Sequence, residues 1–265
     1  MRVWNNPRSE SEGHPALEVP AYDVLVGSLD MRIRLMCPNC AQATGGIGAW
    51  FVETIREDGL YTGKCPVGRD LLLATQTLPH EMLFEVALNA IVDGYNREAV
   101  SSFAASMERF FEFAVRVIAE KYFVPAKAFT DTWKVVSKQS ERQFGAYLFL
   151  YLVEFKVVPR QLRQKMTELR NDVVHKGKLP DRKEALEFGC DVYGVIQESV
   201  HQLRRTHLDQ VNKVLGDHVA RIADRMGTVY PRTFQVTSTA LNIIDDTSSV
   251  FRSFDLVLTE RGITV

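Results

Sequence analysis

Val100, Phe103, Ala104, Met107, Phe111, Ala114, Val115, Ile118 and Tyr122 recur at intervals of three and four residues. Over so many turns that spacing fits only one side of an α-helix, so a long amphipathic helix must anchor whatever this chain builds. The period returns through Leu186, Val192, Tyr193, Ile196, Val200, Leu203, Leu208, Val211, Leu215, Val219 and Ile222, which predicts one very long or broken helix. Between and before these lie shorter elements. A helix over Glu81 to Val92 should stop at Asp93-Gly94, and Thr130-Asp131 can cap a short helix through Val136. Ser140 can cap another, whose core from Phe144 to Val153 is apolar almost all round and is therefore expected to be buried. The fold class is mostly α, with a helical domain over residues 81–228.

Residues 1–80 read differently. After an irregular arm rich in Pro, Ser and Gly, Met31 to Met36 alternates as a strand and runs into Cys37-Pro38-Asn39-Cys40, a C-x-x-C on a turn. Further strands are expected at Ala49 to Ile55 and Asp70 to Thr75, with Gly59 and Gly63 as turns. Together they predict a β-rich, zinc-ribbon-like module. The second knuckle starts at Cys65-Pro66-Val67 but carries Gly68 where a fourth thiolate would complete a structural zinc site. Either His80, His14 or Asp70 supplies the missing ligand, or packing has replaced the metal. The metal set is taken as Cys37, Cys40, Cys65 and His80, while Cys190 reads as a small core residue in a helix. Residues 229–265 form a short tail whose β-branched and aromatic runs, Thr233 to Ile244 and Val250 to Leu258, suggest a β-hairpin.

With 265 residues, 46% hydrophobic and 25% charged, the chain can bury a sizeable core. A formal net charge of −1 excludes a globally basic nucleic-acid binder, so any contact with RNA must be local or shared between subunits. No apolar run reaches the length of a membrane span and no signal-peptide pattern opens the chain, so no membrane partner and a cytoplasmic location are expected. There is no phosphate-cradling glycine loop and no G-x-S-x-G elbow, which removes support for kinase, dinucleotide-binding and serine-hydrolase readings.

The chemistry concentrates at Glu168 to Pro180. On a helical projection Leu162, Met166, Leu169 and Val173 share one face, Asn171 and His175 the opposite one, and Arg170 lies between. Gly177 and Pro180 should end the helix, which leaves His175 at the negative end of its dipole. His175 and Lys176 can be read as ordinary helix-end cations. They can also be read chemically, because an imidazole exchanges protons near neutral pH and a guanidinium neutralises a phosphate. Glu108, at the edge of the long helix's apolar stripe, is either a solvated flank charge or one half of an ion pair. His201, Arg204, Arg205 and His207 could add phosphate contacts but read more simply as a solvated face.

The run Arg170-Asn171-Asp172-Val173-Val174-His175-Lys176-Gly177, with Glu184-Ala185 opening the next helix, resembles the HEPN family of all-α ribonuclease toxins and defence proteins. That family carries an arginine, four to six residues and a histidine, usually with a polar residue after the arginine. Asp93 to Glu112 is similar to its early helices, in the expected order. The resemblance implies an HEPN-like bundle over 81–228 and suggests Arg170 as the partner of Glu108. It also implies a metal-independent endoribonuclease in a toxin or phage-defence setting, needing no cofactor for catalysis. Arg170, Asn171, His175 and Glu108 would form its site, and two subunits of a homodimer would face their motifs across one cleft. RNA, and an antitoxin or regulatory protein, are the partners it implies. The rival is a non-catalytic HEPN-like dimeric module that binds RNA, nucleotide or protein.

Overall fold

The computed structural model describes residues 32–45, 48–226, 233–235, 239–241 and 252–263. It is mostly helical, with two small sheets contributed largely by the N-terminal part. Strand β1 (Arg32–Met36) pairs antiparallel with β2 (Trp50–Thr54), and β3 (Leu60–Lys64) pairs antiparallel with β4 (Asp70–Thr75). Leu35 and Leu73 are fully buried and pack with Ile33 and Tyr61 into a core that the two sheets share. The C-x-x-C lies on a helix rather than a turn. Cys37 is the N-cap of α1 (Pro38–Thr44), and Pro38 at the first helical position favours that start because its fixed φ suits a helix and no donor is lost.

The helical part is built around α3 (Asn96–Lys121), whose predicted apolar stripe is buried at Val100, Phe103, Phe111, Ala114 and Ile118. It packs against α2 (Pro79–Val92), α4 (Ala126–Val136), α5 (Ser140–Phe155), α6 (Gln164–Lys176) and α7 (Arg182–Arg225). The approach of α7 is close: a Cβ on Gly189 would stand 2.7 Å from the Phe103 ring. Asp181 caps α7 and Glu184 reaches back to the Asp181 N–H, a reciprocal capping box. This helix runs through a kink at His207, where φ is −136° and ψ 36°.

Several expectations are corrected. α4 starts at Ala126, because Pro125 opens this helix as well as closing off the preceding turn. α5 is not buried all round: only Gln143, Tyr147 and Tyr151 are, while Phe149 is 69% and Val153 55% exposed. Cys190 is exposed rather than a core residue. His207 is buried rather than on a solvated face, bonding Glu154 Oε1 at 3.0 Å and the Thr206 hydroxyl at 2.6 Å. The tail is not a hairpin in its described residues. β5 (Thr233–Gln235) pairs parallel with β4, and Phe254–Glu260 form helix α8, capped by the Ser253 hydroxyl accepting the Leu256 N–H. Burial of Phe254, Val257 and Leu258, at helical spacing, overrides their β propensity. Arg261 bonds Glu85 of α2 and fixes the tail. Among the described residues no helix is long and apolar enough to cross a membrane.

His80 is also not where a metal ligand would stand. It lies in α2 with its ring 5.5 Å from Phe110 and 5.4 Å from Phe113, and its Nε2 has no partner among the described residues. Burial, with a smaller contribution from the charge of His218, pushes its imidazole down to about 3. The unfolded chain therefore takes up a proton below about pH 6.5 that the fold refuses until about pH 3, so this contribution to stability is complete above 6.5 and lost as pH falls. At about 1.4 kcal/mol per pH unit, the wild type should lose about 2 kcal/mol more than His80→Leu between pH 6.5 and 5. Denaturant unfolding at both pH values reads this difference, and equal losses would show that His80 is not the acid-sensitive group.

Candidate functional site

α6 forms as its sequence pattern requires. Met166, Leu169 and Val173 are buried on one face, Asn171 and His175 are exposed on the other, and Leu162 packs at the edge of the core. Gly177 adopts the left-handed conformation at φ 71°, and the Gly177 and Lys178 N–H groups both turn back to the Asp172 carbonyl. A side-chain-bearing residue would be strained there, so the glycine ends the helix two residues past His175. Lys176 pairs with Asp172 at 2.8 Å, and this pairing holds the Asp172 carboxyl below its ordinary value. Lys178 pairs with Glu184 at 2.6 Å. These cations therefore serve local structure, as the simpler reading of the helix end had it for Lys176.

Arg170 is different. Its Nη2 donates to Glu108 Oε1 of α3 at 3.0 Å and to the Ser140 hydroxyl of α5 at 3.0 Å, while Nη1 donates to Asn171 Oδ1 at 3.1 Å. One guanidinium thus ties three helices together at a single point. Arg170 and Glu108 expose only 16% and 24% of their side chains, so each charge depends on the other for compensation. The position of α5 is fixed beside them, because Arg109 donates to Gln143 Oε1 at 2.9 Å and Gln143 Nε2 donates to the Ser137 carbonyl. Asn171 has its oxygen engaged by Arg170, and its amide N–H groups meet no acceptor among the described residues.

Two members of this cluster were not singled out from the sequence. Ser140 reads there only as a helix cap, yet Gln139 occupies the cap position and the serine hydroxyl serves Arg170. Glu141, next to it, has its carboxyl held below the usual range by its own backbone N–H and by the Ser140 hydroxyl, with the charges of Arg170 and His175 adding. The signal was available in the S-E pair at the start of α5, but nothing in the chain order relates it to a motif thirty residues later. The structure therefore brings Arg170 into direct contact with Asn171 and Glu108 and sets His175 within electrostatic reach of Glu141, on the open side of α6.

Cys37, Cys40 and Cys65 form a second cluster. They are buried, and their sulfurs lie within 4.8 Å of one another, 3.7 Å for Cys40 and Cys65. The Cys65 N–H donates to the Arg69 carbonyl, the Gly68 N–H to the Cys65 carbonyl and the Cys37 N–H to the Ala49 carbonyl, so the β3–β4 turn and the start of α1 hold the thiols in place. A Cβ on Gly48 would stand 2.2 Å from the Cys37 carbonyl oxygen, so only glycine allows the loop to close over α1. Three convergent thiols of this kind could hold a metal ion. His80 and Asp70 are not brought to them: the imidazole is in the helical core and Asp70 pairs with Lys64. His14 lies outside the described residues.

Comparison of the chain with protein-family models, with curated proteins and with solved structures gives no match. The geometry around Arg170 therefore carries the functional reading. Glu108→Ala should cost about 1–2 kcal/mol, since it leaves a half-buried guanidinium short of its counter-charge. A double-mutant cycle with Arg170→Ala should give a coupling of about 1 kcal/mol in denaturant unfolding, and additive single effects would show that the pair contributes nothing.

Proposed function

We propose that this chain is a metal-independent endoribonuclease of HEPN type, with Arg170, Asn171 and His175 acting on RNA and Glu108 holding Arg170 in place. The observation that carries this reading is the guanidinium fixed by Glu108, Ser140 and Asn171 with an exposed imidazole on the next turn of the same helix. An RNA 2′-OH attacks the adjacent phosphate, His175 exchanges protons with the nucleophile or the leaving oxygen, and Arg170 stabilises charge on the phosphorane-like transition state. Asn171 positions the phosphate through its free amide N–H groups. Preorganisation supports the assignment: a guanidinium already held in place needs no reordering as charge develops. Two such sets facing each other across a twofold axis supply both proton transfers and double the local positive charge, which a chain of net charge −1 needs in order to hold RNA.

A non-catalytic module is the competing reading, favoured by the burial of Arg170, which suits a residue that joins helices. Cleavage of a mixed-sequence RNA by purified protein in excess EDTA separates the two. Cleavage should persist in EDTA and fall at least about 100-fold in His175→Ala, the usual scale for loss of a general acid or base. Cleavage unchanged in that variant would remove His175 from the reaction.

We propose a structural zinc at Cys37, Cys40 and Cys65, because three convergent soft thiolates suit that ion and leave one of its four positions to a further donor. Bound there, zinc would cross-link the turn at α1 to the β3–β4 hairpin, remote in sequence from the chemistry of α6. Elemental analysis should find about one zinc per chain, lost in Cys37→Ala together with thermal stability. A folded, metal-free wild type would show that packing alone holds the three sulfurs.

A further inference from the structure

The outer face of α5 is unusual for a helix of a packed bundle. Its inner residues Gln143, Tyr147 and Tyr151 are buried, and Ser140 on that side meets Arg170. Opposite them, within an arc of about 100° at 100° per residue, lie Arg142, Gly145, Phe149, Leu152, Val153 and Lys156. Phe149 is 69%, Leu152 38% and Val153 55% exposed, and a Cβ built on Gly145 meets no atom within 4 Å. The result is an open notch one turn before a projecting aromatic ring. At the far end the stripe runs out to Val157 and Val158, 53% and 66% exposed. Phe123, 90% exposed, stands past the same end of the helix on its inner flank, where Tyr122 bonds Glu154 of α5 at 2.6 Å. Phe123 also holds a φ of 54°, a conformation that a bulky residue rarely adopts, so the turn presents this ring to solvent against its backbone preference.

With full residue areas of about 150–200 Å² each, Phe149, Leu152, Val153, Val157 and Val158 expose roughly 500 Å², at the upper end of the largest apolar patch of a typical monomer. The charges decide what covers it. Arg142 and Lys156 stand at the two ends of the stripe, about 21 Å apart at 1.5 Å per residue. Neither has a carboxylate partner among the described residues, and Lys156 donates only to the Val153 carbonyl. The two acids of α5 are both engaged: Glu154 is neutralised by Lys121 and bonds His207 on the inner side, and Glu141 accepts from its own backbone N–H and the Ser140 hydroxyl. A second copy laid along this stripe, parallel or antiparallel, would bring cation against cation at both ends. We propose that the outer face of α5 is the docking site for an amphipathic helix of another protein, apolar along one stripe and acidic at both ends of it. This face is opposite Ser140, so a docked helix leaves Arg170 and His175 open, and the proposal stands independently of the RNA-cleavage reading.

The test uses the full chain and a labelled synthetic helical peptide of about 18 residues, with a leucine stripe and glutamates about 14 residues apart. A matched peptide with lysines at those positions is the comparison. Fluorescence anisotropy should show the glutamate peptide binding at least about fivefold more tightly, as two solvent-exposed charge pairs provide. In Arg142→Glu/Lys156→Glu the preference should reverse, and Phe149→Ser should lose both peptides while keeping the thermal midpoint of the wild type. Equal affinity for both peptides, or binding that survives Phe149→Ser, overturns the proposal. So does a concentration-dependent dimer in light scattering that Phe149→Ser dissolves, since the occupant would then be a second copy, and so does sedimentation with neutral phosphatidylcholine vesicles lost in that variant.

Discussion

The burial of α3 on nearly every side is the constraint from which the arrangement of this chain follows. Phe103, Phe110, Phe111, Ala114, Val117 and Ile118 exclude water between α2, α5, α6 and α7, and a helix so surrounded has only narrow flanks left for charge. Glu108 stands on one flank. A carboxylate there must find a cation or remain unfavourably placed, and Arg170 of α6 meets it with two further acceptors in reach of the same guanidinium. The ion pair is therefore a product of packing: α3 sets the position of the carboxylate, and the carboxylate sets that of Arg170. His175 follows from Arg170 through helix geometry, since five residues along α6 bring it around to the solvent side, and Gly177 ends the helix before the chain can bury it.

The same logic distributes the remaining polar groups. Glu81 and Glu85 on α2 are used to hold the tail, through Thr239, Ala240 and Arg261. Asp191 on α7 accepts the Arg163 N–H at the start of α6 and so caps from a neighbouring helix an element whose own first residue cannot. These contacts fix both ends of α6, one by a carboxylate from α7 and the other by a glycine.

Helical periodicity made α2, α3, α6 and α7 legible in the sequence, because each buries a stripe whose spacing is intrinsic to the helix. The placement of Asn171 and His175 on the polar face of α6 was legible for the same reason, while their grouping with Arg170 as a site came from a resemblance. Glu108 was legible as a charge in need of a partner, though the identity of that partner came only from a resemblance. Ser140 and Glu141 were not, since their role depends on α5 lying against α6. α5 itself misled: an almost wholly apolar segment implies burial, and only the packed bundle reveals that Phe149 and Val153 face outward. His80 misled in the opposite sense, because histidine beside a knuckle suggests a ligand, whereas its place in α2 sets it among phenylalanines. α8 escaped because Val and Leu at helical spacing over so short a stretch also suit a strand.

The claim on which the functional reading turns is that the groups gathered around Arg170 promote attack by the RNA's own 2′-hydroxyl. A short RNA with one preferred cleavage site, compared with the same strand carrying a single 2′-deoxy nucleotide 5′ to that bond, measures this directly. The wild-type protein should cut the all-RNA strand to a cyclic phosphate and a 5′-hydroxyl end and leave the substituted bond intact. Scission of the 2′-deoxy bond at an undiminished rate would contradict the mechanism, because the nucleophile would then come from elsewhere.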